Sequence, residues 1–299
     1  MLKRITALIL SLAAFICISS CAGGREAGVK SDKISVLVTF NAMEEFVKAV
    51  GGNRVEVKRI IPDGMEPHDF EPKARDLIGL SSARVFVYNG LGMEAWAEDA
   101  VRAAGNDDLI AVEASRGIEA IKNSDAGQSG QYDPHVWLSL ICAQTEAENI
   151  KDALAEADPA GRDYYEANYG QFVSSLDKLY NEYAEKFSAV QKRSFVTGHA
   201  AFAYLCRDFG LEQNSVEDVF AGGEPGARQL TSLIEYCREN NVTTIFAEEM
   251  ASPEVSRTLA DEVGAGLVTI YTIAGSEDGK TYLERMEENL GRIYESLAV

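Results

Sequence analysis

The chain of 299 residues contains three histidines, His68, His135 and His199. Each falls in a loop or at a helix start: His68 after the strand-like run Val55–Ile61, His135 at the helix start after a polar loop, and His199 after Ser194–Thr197. A lone histidine is more often structural than functional, but three out of three in such places point to a shared task. Neutral imidazole is the commonest metal ligand, and three of them suit zinc, copper, iron or nickel better than calcium or magnesium, which prefer oxygen. Glu248 and Glu249 end a strand-like run, where a carboxylate can accept the free ring N–H of a ligand histidine and fix its tautomer. Met65 and Trp137 are expected to wall the site with apolar surface.

The elements that must position these groups divide around one long helix, expected over 158–190. Asp158 is placed to cap it, and Pro159 suits its first turn. Tyr165, Tyr169, Phe172, Leu176, Leu179, Tyr183, Phe187 and Val190 step by three or four, which makes one apolar stripe. At 1.5 Å per residue such a helix is roughly 48 Å long, a strut between two lobes rather than part of one. A surface helix broken near Gly170 is the alternative.

On either side, short β-branched runs alternate with helical patterns, the signature of parallel sheets covered by helices. Before the strut the strands are Ile34–Phe40, Val55–Ile61, Val85–Tyr88 and Leu109–Val112, with helices near 42–50, 73–81 and 95–104. After it come strands Ser194–Thr197, Thr244–Phe246 and Leu267–Ile270, and helices near 201–209, 226–240, 254–263 and 281–297. The expected fold is α/β: two lobes, each with a mainly parallel four-stranded sheet flanked by helices, joined by one long rigid helix. Two ligands precede the strut and one follows it, so the metal falls between the lobes, outside the carboxyl ends of the strands.

Lys3 and Arg4, an apolar run Ile5–Ile18, and Ser19-Ser20-Cys21 read as a signal peptide over 1–20 ending in a bacterial lipobox. Residues 21–33 then form a lipid-anchored spacer, 34–157 the N-terminal lobe, 158–190 the linking helix and 191–299 the C-terminal lobe. Cleavage before Cys21 removes two positive charges from a formal −19, leaving −19 − 2 = −21. With no basic cluster to offset that balance, nucleic acid is excluded as a direct partner. Cys142, Cys206 and Cys237 lack CxxC spacing and read as small buried hydrophobes.

The motifs IPDGMEPHDFEP, DPHVWLS, FVTGHAAFAYLCRDFGL, EPGARQLTSLI and IFAEEMASPEVSRTLADEVG resemble, in order and spacing, those of the zinc-uptake receptor family, the metal-binding lipoproteins of ABC importers for zinc and manganese. The resemblance spans nearly all of 34–299. It implies a metal at the interface of two α/β lobes, delivery to a membrane permease, and an exported, monomeric protein tethered on the extracytoplasmic side. His68, His135 and His199 match ligand positions, and histidine at the third favours Zn2+ over Mn2+. Glu248 matches a carboxylate behind the ligands. The family's usual acidic fourth ligand falls on Ala274, so Glu277, Asp278 or water must complete the shell.

Three alternatives remain: a manganese or iron receptor, an adhesin on the same fold, and a zinc hydrolase. Three histidines with an open position also suit catalysis. The chain has no HExxH motif, and the export tether suits a receptor, so no enzymatic activity is expected.

Overall fold

The computed structural model describes residues 33–299 apart from 124–130, 220–225, 250–251, 277 and 299. The signal segment, Cys21 and Glu277 lie outside the described residues.

The first half opens with β1 (Ile34–Val38), α1 (Asn41–Gly51) and β2 (Val55–Arg59), then β3 (Val85–Tyr88), α2 (Ala97–Ala104) and β4 (Ile110–Glu113). These strands form one parallel sheet in the order β2-β1-β3-β4. Residue composition follows position. Central β1 and β3 are almost entirely apolar and covered on both faces, whereas edge strand β2, VEVKR, leaves Glu56 and Lys58 exposed.

Helices α3 (Leu140–Ala157) and α4 (Arg162–Ala189) lead to the second half. It comprises β5 (Ser194–His199), α5 (Ala203–Phe209), β6 (Glu212–Glu217), α6 (Ala227–Glu239), β7 (Thr244–Glu248), α7 (Glu254–Val263), β8 (Gly266–Ile270) and α8 (Tyr282–Leu297). Its sheet, order β6-β5-β7-β8, repeats the topology of the first and is also parallel. Both sheets are thus four-stranded, as expected. Strand order reverses between β1 and β3 and between β5 and β7, so each half has a crevice at its carboxyl edge.

The strut is the 28-residue α4, about 42 Å long at 1.5 Å per residue, and it passes Gly170 without a break. Its buried stripe is Tyr165, Phe172, Leu176, Leu179, Tyr183 and Phe187. Phe172 meets Phe46 of α1 at 5.8 Å between ring centroids, and Phe187 meets Phe209 at 5.2 Å and Tyr294 at 6.2 Å. One apolar cluster therefore runs from β1 along α4 to α8.

Several local expectations fail for physical reasons. Asp158 makes no cap bond; its carboxylate accepts instead from Arg54 Nε and Tyr165 Oη, each at 2.9 Å, and a 3-10 turn over Pro159–Gly161 starts the helix. The helix expected over 73–81 is a run of turns with a 3-10 helix at Ile78–Ser81. Strand β6, EQNSVE, has no signature in the sequence, because an edge strand with mostly polar residues carries no apolar run.

Candidate metal centre

The three histidines arrive from three different local structures. His68 sits in a 3-10 turn, Pro67–Asp69, reached from the end of β2. Proline at the first turn position fixes φ there and needs no N–H partner. His199 is the last residue of β5, paired in register with Glu217 of β6. His135 stands in an Asp-Pro-His turn in which Asp133 Oδ1 accepts the His135 backbone N–H at 2.9 Å.

That turn is tied down on every side. Asn89 Nδ2, at the end of β3, donates to the Pro134 carbonyl at 2.9 Å, and Tyr204 Oη donates to the Asp133 carbonyl at 2.6 Å. Behind Asn89, the buried Glu94 carboxylate accepts from Thr39 Oγ1 (2.6 Å), Asn89 N (3.0 Å) and Gly90 N (3.1 Å). Downstream, Ser139 caps α3 by accepting from Cys142 N at 2.9 Å.

These supports bring all three sequence-predicted histidines together. His135 Nε2 lies 3.1 Å from His68 Nε2 and 3.3 Å from His199 Nε2. One nitrogen from each ring falls within 4.8 Å of the others, and it is the single such group of histidine, cysteine and acidic residues among the described residues. His135 is 1% exposed and His199 5%, while His68 closes the set from the half-buried side.

Burial decides the protonation state. It pushes His135 down to about 3 and His68 down to about 3, the latter helped by His135 beside it, and it holds His199 well below 6.5. All three rings are therefore neutral at pH 7, the form in which an imidazole nitrogen can donate to a metal. Burial pushes the nearby acids Asp133 and Glu248 up to about 7, and Glu66 likewise with Glu249 near it. A divalent cation reverses that cost, because its charge favours ionised carboxylates around it.

Glu248 and Asp133 divide the supporting role differently from expectation. Glu248 Oε1 accepts the backbone N–H of His199 at 3.0 Å, while the His199 ring Nδ1 stands 3.7 Å away, beyond a hydrogen bond. Asp133 Oδ1 is the acid that meets a ring of the cluster, at 2.8 Å from His135 Nδ1. A ligating histidine whose other nitrogen is held by a carboxylate has its tautomer and orientation fixed. The signal for Asp133 was the DPH spacing itself. Gly198 matters here as well: any Cβ at that position would overlap the Glu248 carboxylate.

The flanking residues also divide. Trp137 does wall the site, its ring 5.2 Å from that of His135. Met65 does not; its side chain is 43% exposed on the loop before His68. Ala274 is buried and bears no donor, and its carbonyl accepts from Asn41 N at 3.3 Å. Asp278 is committed elsewhere, to Arg285 Nε at 3.0 Å and to Lys280. Cys142, Cys206 and Cys237 are buried and, among the described residues, form no disulfide.

Two parallel α/β halves with a buried three-imidazole cluster at their carboxyl edges define a metal-binding receptor class. The family described as "Zinc-uptake complex component A periplasmic" matches residues 36–296, and the chain belongs to it. A Treponema pallidum (strain Nichols) protein described as "Putative metal-binding protein" is 45% identical over 275 residues, covering 88% of this chain and 87% of its own. The high-affinity zinc uptake system protein ZnuA of Bacillus subtilis (strain 168) is 35% identical, covering 100% of this chain and 99% of its own. Among solved structures, the laminin binding protein Lmb of Streptococcus agalactiae, described as bifunctional with adhesin and metal transporting activity, superposes with a TM-score of 0.83. It is 34% identical and covers 89% of this chain and 99% of its own.

Proposed function

We propose that this protein is an extracytoplasmic receptor that captures Zn2+ through His68, His135 and His199 and delivers it to an ABC permease. The observation that carries this reading is the convergence of three neutral imidazole nitrogens in a buried cleft. Such a set matches zinc, which takes nitrogen ligands in tetrahedral geometry, and does not match hard cations that require oxygen. Manganese ranks lowest among the first-row metals for such sites, so selectivity follows the donor set. Membership of a zinc-uptake family supports uptake as the purpose of binding.

In this reading Cys21 carries lipid and holds the receptor on the outer face of the cell membrane. With Ala274 apolar and Asp278 paired to Arg285, water or Glu277 is left to complete the tetrahedron. The likeness to Lmb favours a second reading, that an adhesive face coexists with metal capture on the same fold.

Metal analysis of the protein purified without added metal, followed by Zn2+ and Mn2+ competition, tests the proposal. Zinc should co-purify near one equivalent and manganese should not displace it. Wild-type zinc affinity in all three single variants, His68→Ala, His135→Ala and His199→Ala, would show that the ligands lie elsewhere.

A further inference from the structure

Residues 271–276, between β8 and α8, cross from one half of the molecule to the other as a strap. Thr272, Ile273 and Ala274 are all buried, and Ile273 holds a φ of 61°. A β-branched residue in that region is strained and persists only where its surroundings impose it. The restraint comes chiefly from Glu249, immediately after β7. Its Oε2 accepts Thr272 N–H at 2.8 Å and its Oε1 accepts Ile273 N–H at 2.9 Å, one carboxylate clamping two successive amides.

The far side of the strap is gripped by the first half of the chain. Trp137 Nε1 donates to the Thr272 carbonyl at 2.7 Å, Asn41 Nδ2 to the Ile273 carbonyl at 3.4 Å, and Asn41 N to the Ala274 carbonyl at 3.3 Å. Trp137 is also the ring packed on His135. A continuous set of contacts therefore joins Glu249, the strap, Trp137 and the ligand.

We infer that Glu249 is a positioning residue that holds the strap in its strained form across the cleft and thereby sets the rate of metal release. The inference rests on the zinc-receptor reading. Without the clamp, Ile273 relaxes to negative φ, the Thr272 carbonyl leaves the Trp137 indole, and His135 loses its backing. Release then quickens while capture does not, because Glu249 touches no ligand. A role through charge alone predicts the opposite pattern, with salt-dependent slowing of association.

The experiment uses the full mature chain carrying Trp96→Phe, so that Trp137 is its one tryptophan. Zinc association and chelator-driven dissociation are followed by stopped flow, and Trp137 emission is recorded without metal. For Glu249→Ala, dissociation should rise about tenfold, in the range seen for outer-shell partners of metal ligands, with association unchanged. Emission should also move to longer wavelength as water reaches the indole in place of the Thr272 carbonyl. Glu249→Gln keeps one acceptor and should fall between the two, and it carries the comparison if the alanine variant does not fold. Unchanged dissociation and emission, or slower association alone, overturns the inference. If the parent chain binds no zinc, the receptor reading fails, while the emission shift still reports whether Glu249 holds the strap.

Discussion

The two halves share strand order and direction, yet they hold their histidines by different means. In the second half the histidine is part of the sheet: His199 ends β5, in register with Glu217, over the glycine that leaves room for Glu248. In the first half both histidines sit on loops beyond the strands, and His135 is held by side chains, Asp133 at its ring and Asn89 and Tyr204 at its turn. A strand-borne ligand inherits its position from the backbone ladder. A loop-borne one depends on individual hydrogen bonds, so support residues should matter more in the first half.

The ligands themselves set the largest expected effects. Nanomolar binding corresponds to about −12 kcal/mol, so His135→Ala or His199→Ala should each cost several kcal/mol in chelator competition. Half-buried His68 should cost less; an equal or larger loss at His68 would dissolve the ranking by burial.

Next come the supports. Asp133→Ala should weaken zinc about 10- to 100-fold, the usual cost of losing a carboxylate behind a ligand histidine. Glu248→Gln should cost less, since its contact is to a backbone amide. The reverse order, measured in the same titration, would sink the contrast between the halves.

Stability against pH separates the cleft from the first half's interior. His68 and His135 are depressed from 6.5 to about 3, so the folded chain binds fewer protons than the unfolded one between those values. Their contribution is present above pH 6.5 and is lost as pH falls towards 3. Glu146, on α3, runs the other way. It is fully buried with neither carboxylate oxygen partnered among the described residues, and burial with Glu94 near it raises it well above 4.5. Its folded form binds the proton, so stability present below about pH 4.3 is lost as pH rises. Glu146→Leu should therefore raise the melting temperature, by an amount that grows from pH 5 to pH 8. A gain independent of pH would show that Glu146 is not the group responsible.

The smallest effect on metal is expected at Asp278. Its partner Arg285 is 1% exposed, so Asp278→Asn should lower the melting temperature by leaving a buried guanidinium poorly paired. Zinc affinity should stay within about twofold, because a carboxylate already held by arginine contributes no ligand. A tenfold loss would return Asp278 to the coordination shell.

The large features were legible because each has a periodic or positional signature. Apolar runs marked the central strands, the stripe from Tyr165 to Phe187 marked the strut, and the histidines' places beyond strand-like runs marked their convergence. What escaped depended on tertiary partners. Asp133 and Glu248 are both acids beside a histidine, and only distances show which one meets a ring. Asp158 has the right type and place for a cap, but Arg54 and Tyr165 compete for it from 104 and seven residues away. Strand β6 is defined by its ladder to β5 rather than by its own residues.

The strut also has a mechanical consequence. Its first turns are clasped by the Arg54–Asp158–Tyr165 triad, and near its far end Tyr183 Oη donates to the Glu287 carbonyl at 3.3 Å. A beam fixed at both ends transmits rotation rather than absorbing it. Turning one half by about 6° moves a point about 20 Å from the axis by about 2 Å, a small motion by the standard of domain closure. Set against nitrogen separations of 3.1 and 3.3 Å, that leverage is enough to pull His199 out of reach of His135. On the proposed receptor reading, a partner seated on either half would need only a few degrees of rotation to unseat the ion, and the cleft would not have to open wide.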